Sequence, residues 1–267
     1  MQPIIRIGVL ISGGGSNLQA IIDACESHSI NAVVAFVGSD TPEAAGLSRA
    51  VKHGIPDFVV DYSRIIQQFH RYALPNDFNL QECLNKQHIF PGNTPVARIE
   101  AFLKSRAIAE SELLRRIRIF DFDLLVLAGF MRNLTPYLID RINVRAEIPR
   151  IMNIHPAILP AFPGTDGYGD TFRYGCKVGG CTVHFVDYGE DSGPIIGQRT
   201  FPIMPDDTIE TVRRKGLEQE WRLYPECIQM FAEGRLQVLP ETFILPSGAT
   251  ITRTIVKIAR NPSGGER

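Results

Sequence analysis

The chain has 267 residues, enough to bury a sizeable core as one large α/β domain or two small ones. Its formal net charge of −1 creates no field that would gather nucleic acid or an acidic membrane surface, so a small-molecule partner is expected. Cys25, Cys83, Cys176, Cys181 and Cys227 are scattered and lack the paired Cys-x-x-Cys spacing of a zinc site, which points to a reduced, cytoplasmic protein; the longest apolar run, Leu124 to Met131, is too short to span a bilayer, and the N-terminus does not read as a signal peptide.

Ile4 to Ile11 is a β-branched apolar run ending in Ser12-Gly13-Gly14-Gly15-Ser16-Asn17, after which Leu18, Ile21 and Ile22 take up helical spacing. A glycine loop between strand and helix lets backbone amides approach an anion, with the helix's unpaired N–H groups aimed at it, so a phosphate fits. Leu18 stands where the third glycine of a dinucleotide fingerprint belongs, and a purely structural turn fits the same residues. Asn31 to Gly38 reads as a second buried strand, Thr41 to His53 as a helix closed by Gly54, and Pro56 to Asp61 as a third strand. Strands alternating with helices imply an α/β, doubly wound, mainly parallel sheet, Rossmann-like in its N-terminal half and with helices on both faces. Such sheets bind ligands beyond the carboxyl ends of their strands, where Ser12 to Asn17 would lie.

A single domain is expected, carrying an irregular insertion at about 63–95, where Pro75, Asn76, Pro91, Gly92, Asn93 and Pro95 interrupt the apolar groups. Helix resumes near Val96 and runs to Ile117, with Arg115, Arg116 and Arg118 matched to the dipole at its end. Asp123 to Ala128 is a continuous apolar strand. The loop behind it, Gly129 to Pro136, presents Phe130, Met131 and Leu134, which wall a flat aromatic ligand or fill the core.

Ile151 to Ile154 reads as a strand delivering Asn153 and His155 to one face, since side chains two apart point the same way. Pro156, Pro160 and Pro163 then stop regular structure. An amide donor beside a titratable imidazole at a strand end suits stabilisation of a developing oxyanion. The glycines between Pro163 and Gly180 predict a mobile, lid-like loop rather than a packed element. Cys181 to Val186 alternates as a strand in which His184 is expected to be structural. Asp191, in the acidic turn that follows, joins the site if the fold brings it to His155. Asp206 and Asp207 are expected to cap a helix with an apolar stripe from Ile209 to Phe231, ended by Gly234. Leu236 to Leu239 and Phe243 to Val256, split by Pro246-Ser247-Gly248, form a hairpin in an extension at about 236–267, and Asn261 to Arg267 reads as a frayed tail.

Four segments occur in a telling order: Val9-Leu-Ile-Ser-Gly-Gly-Gly-Ser-Asn-Leu-Gln-Ala-Ile, Leu127-Ala-Gly-Phe-Met-Arg, Asn153-Ile-His-Pro-Ala-Ile-Leu-Pro, and Val183-His-Phe-Val with Asp191-Ser-Gly-Pro-Ile. From about Ile5 to Leu236 the chain resembles the folate-dependent glycinamide ribonucleotide formyltransferase family. The resemblance implies that the backbone of Gly15, Ser16 and Asn17 holds the phosphate of glycinamide ribonucleotide and that Glu220 contacts its ribose. It further implies that Met131, Arg132, Leu134 and Val186 form the pterin pocket for the co-substrate 10-formyltetrahydrofolate, and that Asn153, His155 and Asp191 are the catalytic group. Asn153 and an imidazolium at His155 would stabilise the oxyanion formed when the amine attacks the formyl carbon, while Asp191 would favour that imidazolium and receive the amine's proton. This scheme calls for no metal, and the expected assembly is a monomer or a homodimer.

The family pattern is not followed throughout. Ser39-Asp40 stands where Ser-Asn is usual, Asn133 where Ile is common, and Thr165 to Thr171 replaces a histidine-bearing segment, which bears on lid closure and substrate preference. An arginine expected near the phosphate is either Arg64 or Arg98. A formyltetrahydrofolate hydrolase would carry an additional N-terminal module for which the sequence leaves no space before Ile4, and a methionyl-tRNA formyltransferase would carry a basic C-terminal domain. A non-catalytic folate- or nucleotide-binding relative is disfavoured because an unused buried Asn, His and Asp would cost stability.

Overall fold

Apolar residues follow one another along β1 (Ile5–Ile11) because both faces of its sheet are covered. Ile7, Val9 and Ile11 enter one core and Leu10 the other. The computed structural model describes residues 3–144 and 147–260. After β1 come α1 (Ser16–Glu26), β2 (Ala32–Ser39), α2 (Leu47–Lys52), β3 (Asp57–Val59), α3 (Tyr62–Gln67), a 3-10 turn at Phe69–Arg71, α4 (Leu80–Lys86), α5 (Val96–Ile117), β4 (Leu124–Leu127) and α6 (Pro136–Ile142). The remainder comprises β5 (Ile151–His155), α7 (Gly167–Arg173), β6 (Val178–Phe185), β7 (Ile195–Pro202), α8 (Ile209–Ala232), β8 (Leu236–Ile244) and β9 (Thr250–Ile258).

Seven strands form one sheet in the order β3-β2-β1-β4-β5-β6-β7. The strands from β1 to β5 pair in parallel, and β6 runs antiparallel to both its neighbours. One face buries Val9, Val126 and Met152 under Leu18 and Ile21 of α1 and Tyr224 and Ile228 of α8. The other buries Leu10, Leu125 and Ile151 under Leu103 and Leu114 of α5 and Leu138 of α6. The doubly wound α/β sheet is therefore as expected, and its order reverses between β1 and β4, where open sheets leave a crevice. There the Ser12 amide donates to the Gly129 carbonyl (3.0 Å), and the Met131 amide donates to the Ser12 hydroxyl (2.8 Å), tying the two loops together.

Four local expectations are corrected. The helix expected from Thr41 begins only at Leu47, because Gly46 must pack against the glycine loop: its amide donates to the Gly13 carbonyl at 2.9 Å, and a Cβ on Gly15 would fall 2.9 Å from the Gly46 Cα. The irregular stretch at about 63–95 contains α3, the 3-10 turn and α4; Asp61 and Asn79 cap the two helices by accepting from the Arg64 and Glu82 amides. The glycine-rich segment after Pro163 is not a mobile loop throughout but includes α7, with Tyr168 buried against α8. Close packing explains glycine here: a Cβ on Gly167 would lie 2.6 Å from the Pro156 carbonyl oxygen, and on the facing helix α8 a Cβ on Gly216 would lie 2.1 Å from the Tyr168 ring. The cap of α8 is Thr208, which exchanges hydrogen bonds with Thr211, while Asp207 accepts from the Met204 amide and from Lys215.

The bounds of α5 are as read from the sequence; the terminal hairpin turns at Pro246-Ser247-Gly248, but its first strand runs unbroken from Leu236 to Ile244 instead of stopping at Leu239, and Asn261 to Arg267 lie outside the described residues. Among the described residues, no helix is long and apolar enough to cross a membrane. One buried contact fixes the site-bearing strands to α8: the Tyr224 hydroxyl reaches the Leu127 and Met152 carbonyls, in β4 and β5, at 3.0 and 2.9 Å. Tyr224→Phe is expected to lower unfolding free energy by about 1–3 kcal/mol in a denaturant titration, the cost of leaving buried carbonyls without that donor; a change within error would show that the carbonyls do not depend on it.

Candidate active site

A cavity of about 570 Å³ opens at the carboxyl ends of β1, β4 and β5, walled by the loop at 12–15, the loop after β4, the segment from Pro163 to α7, and one face of α8. Asn153 and His155 reach it as the period of two requires, opposite in β5 to the core residues Met152 and Ile154. Antiparallel pairing places Asn153 directly across from His184, and the Asn153 side-chain amide donates to His184 Nε2 at 3.2 Å. The Nδ1–H of His184 donates to the Phe185 carbonyl at 2.9 Å, which leaves Nε2 as the acceptor. His184, expected to be structural, is buried and hydrogen-bonded to Asn153 while also lining the cavity. A lone histidine in a strand gives no such signal until the register is known.

The turn after β6 brings Asp191 to His155. Asp191 Oδ2 lies 3.1 Å from His155 Nδ1 and accepts the Gly164 amide at 2.8 Å, and Oδ1 lies 3.7 Å from His184 Nε2. The other nitrogen of His155, Nε2, donates to the Phe162 carbonyl at 2.7 Å. Acceptors at both ring nitrogens require two N–H donors, which only the imidazolium possesses. Burial opposes that charge, but the hydrogen bond and charge of Asp191, with the Phe162 carbonyl, outweigh it and raise the His155 pKa. Burial likewise opposes ionised Asp191, yet the hydrogen bond and charge of His155, with the Gly164 amide, hold its carboxyl well below the usual range.

At the glycine loop, Gly15 is the N-cap of α1 with φ +69°, a left-handed conformation that glycine adopts without a Cβ penalty. Gly15, Ser16 and Asn17 line the cavity together, and so does Glu220. Glu220 is buried, accepting from the Asn17 side-chain amide and from the Tyr168 hydroxyl at 2.6 Å each. Burial raises its pKa against both hydrogen bonds. The Asn17 side-chain oxygen, also buried, has no hydrogen-bond partner among the described residues. Sequence reasoning missed Tyr168 because its neighbouring glycines resembled a loop.

Met131, Arg132, Leu134 and Val186 line the opposite part of the cavity. Met131 is exposed and Leu134 buried, so the wall combines a loose rim with a fixed floor. The Arg132 guanidinium pairs with buried Asp40 and donates to the Ser63 hydroxyl at 3.0 Å. Neither Arg64 nor Arg98 lines the cavity; among the described residues the arginines that do are Arg132 and Arg213. The arrangement collects an anion-suited loop, a carboxylate fit for hydroxyl groups, an amide beside an imidazolium–carboxylate pair, and an apolar wall.

A model of the formyl transferase family matches residues 5–228. The phosphoribosylglycinamide formyltransferase of Haemophilus influenzae is 36% identical over 233 residues, covering 87% of this chain and 90% of that protein. The Bacillus subtilis enzyme of the same name is 32% identical, covering 84% of this chain and 93% of that protein. The crystal structure of glycinamide ribonucleotide transformylase 1 from Symbiobacterium toebii superposes with a TM-score of 0.70 at 35% identity, covering 96% of this chain and 95% of its own. The chain belongs to the formyl transferase family and, within it, to the phosphoribosylglycinamide formyltransferases.

Proposed function

We propose that this chain transfers the formyl group of 10-formyltetrahydrofolate to the amine of glycinamide ribonucleotide, a step of de novo purine biosynthesis. The observation that carries the reading is the meeting of Asn153, His155 and Asp191 in the cavity that also holds the glycine loop and Glu220. The backbone of Gly15, Ser16 and Asn17 receives the phosphate, and Glu220, whose carboxyl oxygens retain acceptor capacity, takes the ribose hydroxyls. Met131, Arg132, Leu134 and Val186 flank the pterin.

Attack of the amine on the formyl carbon produces a negative oxygen and a positive nitrogen in one tetrahedral intermediate. Asn153, held by His184, turns its second amide proton to the oxygen. His155 supplies positive charge from the side; its Nε2–H becomes a direct donor when the Phe162 carbonyl gives way. Asp191 maintains the imidazolium and accepts the proton leaving the amine nitrogen, directly or through water; collapse of the intermediate then breaks the bond between the formyl carbon and N10 of the folate, which takes up that proton as tetrahydrofolate departs.

Given both glycinamide ribonucleotide and 10-formyl folate, the purified protein is expected to release deformylated folate, and to release none when either is omitted. Release without the ribonucleotide would make it a hydrolase, and no release under any condition would make it a binding protein.

The ion pair needs His155 protonated and Asp191 ionised. Its stabilising contribution is full below the ordinary histidine value and is lost as pH rises through the raised His155 pKa; on the acid side it is present above the ordinary aspartate value and is lost as pH falls through the lowered Asp191 pKa. Asp191→Asn leaves the burial of His155 but removes its carboxylate, so the alkaline limb of the kcat profile moves to lower pH and the rate falls by ~10²–10⁴. Retained ligand affinity with near-parental turnover would remove Asp191 from the mechanism.

A further inference from the structure

We propose that Arg213 is the cationic ligand of the substrate's phosphate, and that Asp166 holds it in place until the phosphate displaces that carboxylate. The proposal rests on the ribonucleotide reading above. Arg213, Leu217 and Glu220 are spaced i, i+4, i+7 on α8, share one face of the helix and all line the cavity. Glu220 faces the N-terminus of α1 through Asn17, so Arg213 extends the same face about two turns toward the start of α8.

Charge makes the assignment. The cavity wall includes the carboxylates Asp166, Asp187, Glu190, Asp191 and Glu220. Among the described residues its guanidiniums are those of Arg132 and Arg213, and Arg132 is committed to buried Asp40. A phosphate monoester carries close to two negative charges at neutral pH, and the amides at Gly15 to Asn17 offer dipoles but no net charge to meet them. Arg213 is the guanidinium in this wall free to move. Its side chain is 52% exposed and donates to Asp166 Oδ1 at 2.9 Å, a surface contact of a weak, readily exchanged kind. The exchange does not strand Asp166, whose Oδ2 keeps Arg173 at 2.8 Å. A guanidinium also suits phosphate geometrically, since its paired N–H groups match two phosphate oxygens.

The turn that carries Asp166 runs directly into α7, whose Tyr168 holds Glu220. One short segment thus positions both α8 side chains, one for the phosphate and one for the ribose. Close packing of Tyr168 on Gly216 keeps the segment and the helix in register.

The experiment compares the parent, Arg213→Gln, Arg213→Lys and Asp166→Asn with glycinamide ribonucleotide and with the corresponding riboside lacking phosphate. Arg213→Gln is expected to raise KM for the ribonucleotide by about 10- to 100-fold, the loss of a charge-assisted contact, with kcat and the KM for formyl folate little changed. The same variant should handle the riboside as the parent does, Arg213→Lys should recover part of the loss, and Asp166→Asn should lower the ribonucleotide KM. An unchanged KM in Arg213→Gln, or an equal loss with the riboside, overturns the proposal. Turnover by the parent tests the reading of the reaction separately. Calorimetric binding of ribose 5-phosphate needs no turnover and must show the same dependence on Arg213, or the proposal fails even if the reaction is as stated.

Discussion

The contact between His155 and Asp191 holds the site together because it sets a partly buried carboxylate against a buried imidazole, where each charge depends on the other. Asp191 gathers groups from three segments: the end of β5 through His155, the start of the glycine-rich stretch through the Gly164 amide, and β6 through His184. His155 in turn fixes the Phe162 carbonyl. The prolines after β5 prevent the chain from running on as a strand, and these hydrogen bonds decide where it goes instead. Positive charge at the imidazolium is therefore a product of the fold, built from acceptors at both ring nitrogens and maintained against burial.

Much of this was legible in the sequence because it depends on short-range rules. The run Ile4 to Ile11 followed by glycines gives strand, turn and helix, and a period of two puts Asn153 beside His155. What remained hidden depends on long-range register. His184 joins the site only because β6 pairs antiparallel to β5 with Asn153 across from it, which a lone strand histidine does not announce. Arg213 sits among polar residues on an amphipathic helix and resembles any solvated side chain until α7 is placed. The glycines after Pro163 misled in an instructive way. Glycine permits flexibility, but it also permits contact, and at Gly167 and Gly180 backbone carbonyls occupy the space a side chain would need. The late start of α2 has the same origin in Gly46 pressed against the phosphate-type loop.

Glu220 shows how the scaffold sustains a functional group at some cost. A carboxylate in this position is disfavoured by burial, yet its two oxygens are met by Asn17 from α1 and Tyr168 from α7. These hydrogen bonds draw together two helices that do not follow each other in the chain, and Tyr224, one turn further along α8, secures the same helix to β4 and β5. A cavity-lining carboxyl and a packing anchor are consequently shared by one helix face, so substitutions at the two positions are not independent.

Asp191 also has an unusual backbone, with φ +50°. Few side chains accept that conformation without strain, chiefly glycine, asparagine and aspartate. Of these three, aspartate alone brings a negative charge, and glutamate, the other carboxylate, lacks the short side chain that eases the left-handed turn. Two independent filters, one conformational and one chemical, therefore meet at a single position and leave almost no room for drift. The position also has a convenient neutral counterpart, since asparagine keeps the shape of the turn while discarding the charge, whereas alanine would disturb both at once.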